Sequence, residues 1–198
     1  MIKNFLKFFY WFYFKKSNFS QSNEEKILND IFSNQNCGFY VDVGCHHPKR
    51  FSNTALLYKR GWNGVNIDAS TENLKLFNFY RKRDYNIREL VSETEIELLF
   101  YYFNDSALNG CLSESRVELL KSQNYKVMMT EKLLTKRLDD ILSDSKIGLT
   151  KIDLLDIDVE GHDLKVLKSI NLNFFDVKVI LIEGEEKVFF LTNFYLGI

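Results

Sequence analysis

What this chain lacks narrows its function before any motif is read. It has one proline, Pro48, in 198 residues, and no low-complexity linker divides it. One domain is therefore the default, and 198 residues are enough for a sizeable core. The three cysteines, Cys37, Cys45 and Cys111, are odd in number and show no CxxC spacing. Neither a disulfide framework nor a zinc site is indicated, and a reducing cytoplasm is the simplest setting. An excess of one charge is missing too, since 26 Lys and Arg against 27 Asp and Glu leave a net −1. A nucleic-acid partner needs a basic surface, so none is expected. With 45% hydrophobic and 27% charged residues, the chain reads as globular rather than disordered.

What is present begins with an unusual N-terminus. Residues Phe5, Leu6, Phe8 to Phe14 crowd together between Lys3, Lys7, Lys15 and Lys16. The run is too short to span a bilayer, and no small-residue cleavage site follows it. Aromatic bodies with lysine flanks suit a helix lying in the interface of the inner membrane surface. The plainer alternative is a helix packed on its own domain or on a second copy of the chain. Residues 1–21 are read as this extension and 22–198 as the domain.

From Ser22 onward the chain alternates between helix and strand. Helices are expected near Ser22–Ser33, Ser52–Arg60, Glu72–Arg81, Glu114–Ser122, Arg137–Leu142 and His162–Ser169. Principal strands are expected at Phe39–Val43, Gly64–Asp68, within Asn86–Ser92, at Ile152–Asp158 and at Lys178–Glu183. Further strand is read at Ile96–Phe103 and Lys126–Met129, with a polar loop over Asn104–Ser113. Such alternation argues for parallel βαβ units in an α/β fold.

The first two strands each end in aspartate, Asp42-Val-Gly44 and Ile67-Asp68. Ligands in open α/β sheets bind beyond the carboxyl ends of the strands. Asp68 is then placed to take ribose hydroxyls, and Gly44 to let backbone approach a ligand. A nicotinamide dinucleotide needs G-x-G-x-x-G, yet Gly44 is followed by Cys45-His46-His47-Pro48. S-adenosylmethionine has no pyrophosphate and fits this turn better.

The motifs Asp42-Val-Gly-Cys-His-His-Pro-Lys-Arg-Phe-Ser-Asn-Thr54, Gly61-Trp-Asn-Gly-Val-Asn-Ile-Asp68, Arg83-Asp84, Lys136-Arg-Leu-Asp-Asp-Ile-Leu142 and Leu155-Asp-Ile-Asp-Val-Glu-Gly161 occur in this order. Over roughly Cys37 to Glu186 the chain resembles the FkbM family of S-adenosylmethionine-dependent methyltransferases. The resemblance implies a Rossmann-like fold, a largely parallel sheet with helices on both faces, and methyl transfer to oxygen. It implies acceptors such as sugar hydroxyls, and surface-polysaccharide or glycolipid biosynthesis as the setting. By position, Asp42, Gly44 and Cys45 correspond to the cofactor turn and Asp68 to the ribose ligand. Asp84, with Asn86 and Ile87, falls where the third strand approaches adenine. His46 and His47 are candidate substrate contacts, with surface positions as the alternative.

The chemical end is expected at the fourth and fifth strands. Asp158 is the first choice of base for the acceptor hydroxyl, with Glu160 and His162 behind it. Glu183 is expected beside them on the substrate side. Alternatively Asp158, Glu160 and Glu183 hold a divalent cation that acidifies the hydroxyl. Glu160 has a competing role as cap of the following helix. The segment after Glu183 offers at most one more apolar stretch, so C-terminal strands are expected to be missing and the last strand edge unpaired, inviting homo-oligomers. A cofactor-binding or scaffold protein without catalysis is the rival from another class.

Overall fold

The computed structural model describes residues 19, 24–111, 113–143, 147–183 and 188–192. The aromatic stretch before residue 19 lies outside them, so the N-terminal expectations have no structural counterpart. In chain order the elements begin with α1 (Glu24–Ile31), β1 (Phe39–Val43), α2 (Ala55–Lys59), β2 (Asn63–Asp68), α3 (Thr71–Tyr80) and β3 (Tyr85–Arg88). Then come β4 (Leu90–Val91), β5 (Glu97–Phe103), α4 (Glu114–Ser122), β6 (Val127–Lys136) and α5 (Leu138–Leu142). The last are β7 (Lys151–Ile157), α6 (Asp163–Leu167), β8 (Asp176–Glu183) and β9 (Val188–Thr192).

The short apolar runs of β1, β2 and β7 suit strands buried on both faces, which is how parallel sheets are built. They assemble into a six-stranded sheet of order β3-β2-β1-β7-β8-β9. Every pairing is parallel except β8 with β9. Alternation along β1 divides the core. Val41 and Val43 pack with Leu138, Ile141 and Val166 from α5 and α6. Tyr40 points the other way, into Leu28, Phe32, Leu57 and Trp62 around α1 and α2. Helices thus cover both faces.

Three differences from the sequence reading matter. The expected third strand divides after Arg88, and Leu90–Val91 leaves to pair in parallel with the end of β6. With β5 antiparallel to β6, this makes a second sheet of order β4-β6-β5. β6 also runs on to Lys136, well past Met129. Its polar residues hide it from an apolar-run reading, yet they sit on a half-exposed ladder where a strand tolerates them. Finally, the edge of β8 is paired: β9 adds to it from Glu183↔Val188 to Val179↔Thr192. Among the described residues no helix is long and apolar enough to cross a membrane.

Candidate active site

β1 pairs with β2 on one side and β7 on the other, so the chain leaves β1 at the point where strand order reverses. Crevices form there, outside the carboxyl ends of the strands. The turn is tight. Gly44 has φ +87°, and a Cβ on it would lie 1.8 Å from the Asp158 carbonyl oxygen. Its N–H donates to Ile67 O at 2.9 Å, while Asp158 N–H donates to Val43 O at 3.0 Å. Gly44 is therefore required by the fold itself, because β1 and β7 turn over each other in contact.

Beneath this turn lies a buried polar network centred on Arg81, which has no solvent exposure. Its guanidinium donates to Pro48 O at 2.8 and 3.1 Å, to Ser52 Oγ at 2.7 Å and to Thr54 Oγ1 at 2.7 Å. Longer bonds reach Tyr40 OH and Asn66 Oδ1, both at 3.3 Å. Thr54 donates in turn to Asp42 Oδ2 at 2.5 Å. Tyr40 donates to Asp84 Oδ2 at 2.5 Å, and Asp84 Oδ1 receives Gly64 N–H at 3.0 Å. A buried cation demands such compensation, since an unpaired one is very costly. Burial pushes Asp42 up to about 6 against the pull of Arg81 and Thr54.

The network accounts for two aspartates the sequence assigned to the cofactor. Asp42 shares a strand face with Tyr40 and does not line the cleft. Asp84 precedes β3 and holds the start of β2, at the amino ends of the strands, whereas the cleft opens at their carboxyl ends. Cys45 packs against Leu74 and Phe77, and burial raises its thiol far above the ordinary range. Ile87 packs on the main core. His47 accepts Lys49 and Arg50 N–H on Nδ1, at 3.0 and 2.9 Å, and so closes its own loop. Burial, with nearby positive charge, lowers it to about 4. None of these three lines the cleft either.

The cleft collects the others. Asp68, Gly44, His46, Asp158, Glu160 and His162 all line it. Asp68 Oδ1 accepts Ser70 N–H at 2.7 Å, and Oδ2 accepts His46 N–H at 2.9 Å and Asn73 Nδ2 at 3.1 Å. Burial raises its carboxyl above the usual value despite these donors. The His46 ring sits 3.1 Å from Ser106 Oγ, and His162 Nε2 lies 3.0 Å from Ser92 Oγ. Burial lowers both imidazoles, which favours their uncharged forms.

Glu160 and Gly161 both take left-handed backbone, with φ 54° and 91°. α6 has no side-chain cap hydrogen bond at its N-cap, His162; the turn before it is closed by Asp163, which accepts Val159 N–H at 3.0 Å and Gly161 N–H at 2.9 Å. The Glu183 side chain lies outside the described residues. Among the described residues, no group of three or more His, Cys, Asp or Glu could hold a metal ion.

A second wall was not foreseen. Glu89, Leu90 and Val91, where the chain steps between sheets, line the cleft together with Phe100, Ser106, Ala107, Asn109, Gly110 and Cys111. The loop above β5 is held by Asp105 Oδ1 accepting Ala107 N–H at 3.1 Å and Asn109 Oδ1 accepting Phe103 N–H at 2.8 Å. Its polar residues mark it as a loop, but its place at the cleft follows only from the second sheet, which the polar stretch of β6 conceals.

A mostly parallel sheet, helices on both faces and a cleft at the switch point define a Rossmann-like methyltransferase fold. The chain belongs to the methyltransferase FkbM domain family, whose model matches residues 42–193. No curated protein and no solved structure matches it.

Proposed function

We propose that the chain is an S-adenosylmethionine-dependent O-methyltransferase acting on a sugar hydroxyl of a surface polysaccharide or glycolipid. The observation that carries this is the Asp68 carboxylate, presented into the cleft at the carboxyl end of β2 within a domain of the FkbM family. Its two oxygens offer about four acceptor positions, and the chain's own donors fill one on Oδ1 and two on Oδ2. One position remains for a ribose hydroxyl. Asn73 Oδ1, which receives no hydrogen bond among the described residues, supplies a second acceptor beside it. Leu90, Val91 and Phe100 give adenine an apolar wall.

When bound, S-adenosylmethionine supplies an electrophilic methyl on a sulfonium. The remaining work belongs to the chain and is mostly positioning. Asp158, across the cleft at the end of β7, takes the proton of the acceptor hydroxyl. His162, bonded to Ser92 and pushed by burial towards its uncharged form, is the neighbouring base. Burial disfavours the charged forms of His46 and His162, which limits their repulsion of a sulfonium.

The test is methyl transfer from S-adenosylmethionine to a deproteinised cell-surface glycan extract, followed by mass spectrometry. Asp158→Asn is expected to lower the rate at least about 100-fold while S-adenosylhomocysteine still binds. Transfer by Asp158→Asn at the wild-type rate contradicts the assignment of the base. No transfer by wild type contradicts the glycan acceptor.

A further inference from the structure

Among the described residues four non-glycine residues have positive φ, and three of them, His46, Phe51 and Glu160, line the cleft. His46 has a local reason, since its N–H must reach Asp68. Glu160 has one too, in the turn closed by Asp163. Phe51 has neither. Its φ is 55°, a genuine outlier for a bulky side chain, and the residue is 42% exposed at the cleft. Neither burial nor a hydrogen bond offsets the strain, and glycine would adopt the same backbone freely.

The flanks hold the strained residue in place. Pro48 O and Ser52 Oγ are both tied to the buried Arg81 guanidinium. His47 Nδ1 takes the two N–H groups just before Phe51, and Ser52 N–H donates to Phe19 O at 3.1 Å. The Arg50 guanidinium lies over the ring, 4.9 Å from its centroid, and fixes its orientation. Strain maintained this way and sited at a cleft points to a role in binding.

We infer that Phe51 is the stacking platform for the sugar ring of the acceptor, an inference that rests on the reading under Proposed function. Sugar C–H bonds beside hydroxyls carry partial positive charge and meet the negative face of an aromatic ring. Adenine has its own apolar wall at Leu90, Val91 and Phe100, so the Phe51 ring is left for the second reactant.

The experiment measures acceptor KM, kcat and S-adenosylhomocysteine Kd for wild type, F51A, F51G and F51W, with the glycan extract as acceptor. Loss of stacking is expected to raise acceptor KM about tenfold in F51A and F51G. F51W should stay near wild type, and kcat and Kd should be unchanged in all three. Unchanged acceptor KM in F51A overturns the platform while leaving methyl transfer standing. A parallel loss of S-adenosylhomocysteine affinity overturns it by placing the ring on the cofactor. Absence of transfer by wild type overturns this inference together with the glycan reading.

Discussion

Two regions only a few residues apart use the same amino acids in opposite ways. Under the β1 turn, Asp42, Asp84, Tyr40, Thr54 and Arg81 form a buried network in which each group has partners. In the cleft above it, Asp68, Asp158, Glu160 and two histidines gather around an opening, and three non-glycine residues sit in left-handed backbone. The lower region is relaxed and satisfied; the upper one is strained and keeps acceptors on offer. The fold is therefore held by one set of aspartates and the proposed function by another. The sharpest ways to break that division act on the network first.

The largest expected effect is Arg81→Met. It leaves the Asp42 and Asp84 carboxylates buried without their cation and should cost about 4 kcal/mol, read as a shift in urea midpoint. A loss under about 1 kcal/mol would mean the network is ornamental to the fold. Next is Gly44→Ala, which forces a Cβ onto the Asp158 carbonyl in addition to the φ penalty. About 3 kcal/mol is expected by the same measurement, with proportionate loss of cofactor binding.

A subtler effect distinguishes Asp42 from His47 by pH. Asp42 is raised in the fold from 3.8 to about 6, so its contribution is fully present below pH 3.8 and is lost as pH rises through 6. His47 is lowered from 6.5 to about 4, so its contribution is present above pH 6.5 and is lost as pH falls through 4. Denaturant titrations between pH 4 and 6.5 should show wild type losing stability with rising pH relative to Asp42→Asn. Relative to His47→Gln, wild type should gain it. If both differences have one sign, the two environments have been misassigned.

The smallest effect is expected in the cleft. Glu160→Gly should stabilise the protein by about 0.5–1 kcal/mol, since glycine accepts φ 54° without strain. Methyl transfer should fall in the same variant, because the cleft loses a carboxylate. Stabilisation with full activity would make Glu160 a turn residue only.

Much of this is legible in the chain itself. The strands at Phe39–Val43 and Gly64–Asp68, the parallel order and the gathering of Asp68 with Asp158, Glu160 and His162 followed from apolar runs and their terminal carboxylates. Which aspartate faces the cleft was not legible for Asp42. A strand buried on both faces is apolar on both, so alternation does not reveal which side a polar residue takes. Asp84 was within reach: a residue before the start of a parallel strand sits at its amino end, away from any switch-point crevice. The second sheet stayed hidden because Thr130, Glu131 and Lys132 interrupt the apolar run of β6, and only pairing with β5 makes that stretch a strand. Arg81 gave no signal at all. A fully buried arginine is rare, and nothing local marks it as one.

The most direct test of the division between fold and function is calorimetric titration with S-adenosylhomocysteine across wild type, Asp68→Asn and Asp42→Asn. Wild type and Asp42→Asn should bind it comparably, while Asp68→Asn, folded by circular dichroism, should bind at least about tenfold more weakly. Binding retained in Asp68→Asn but lost in a folded Asp42→Asn would contradict the account, because the ribose acceptor would then belong to the buried network and not to the cleft.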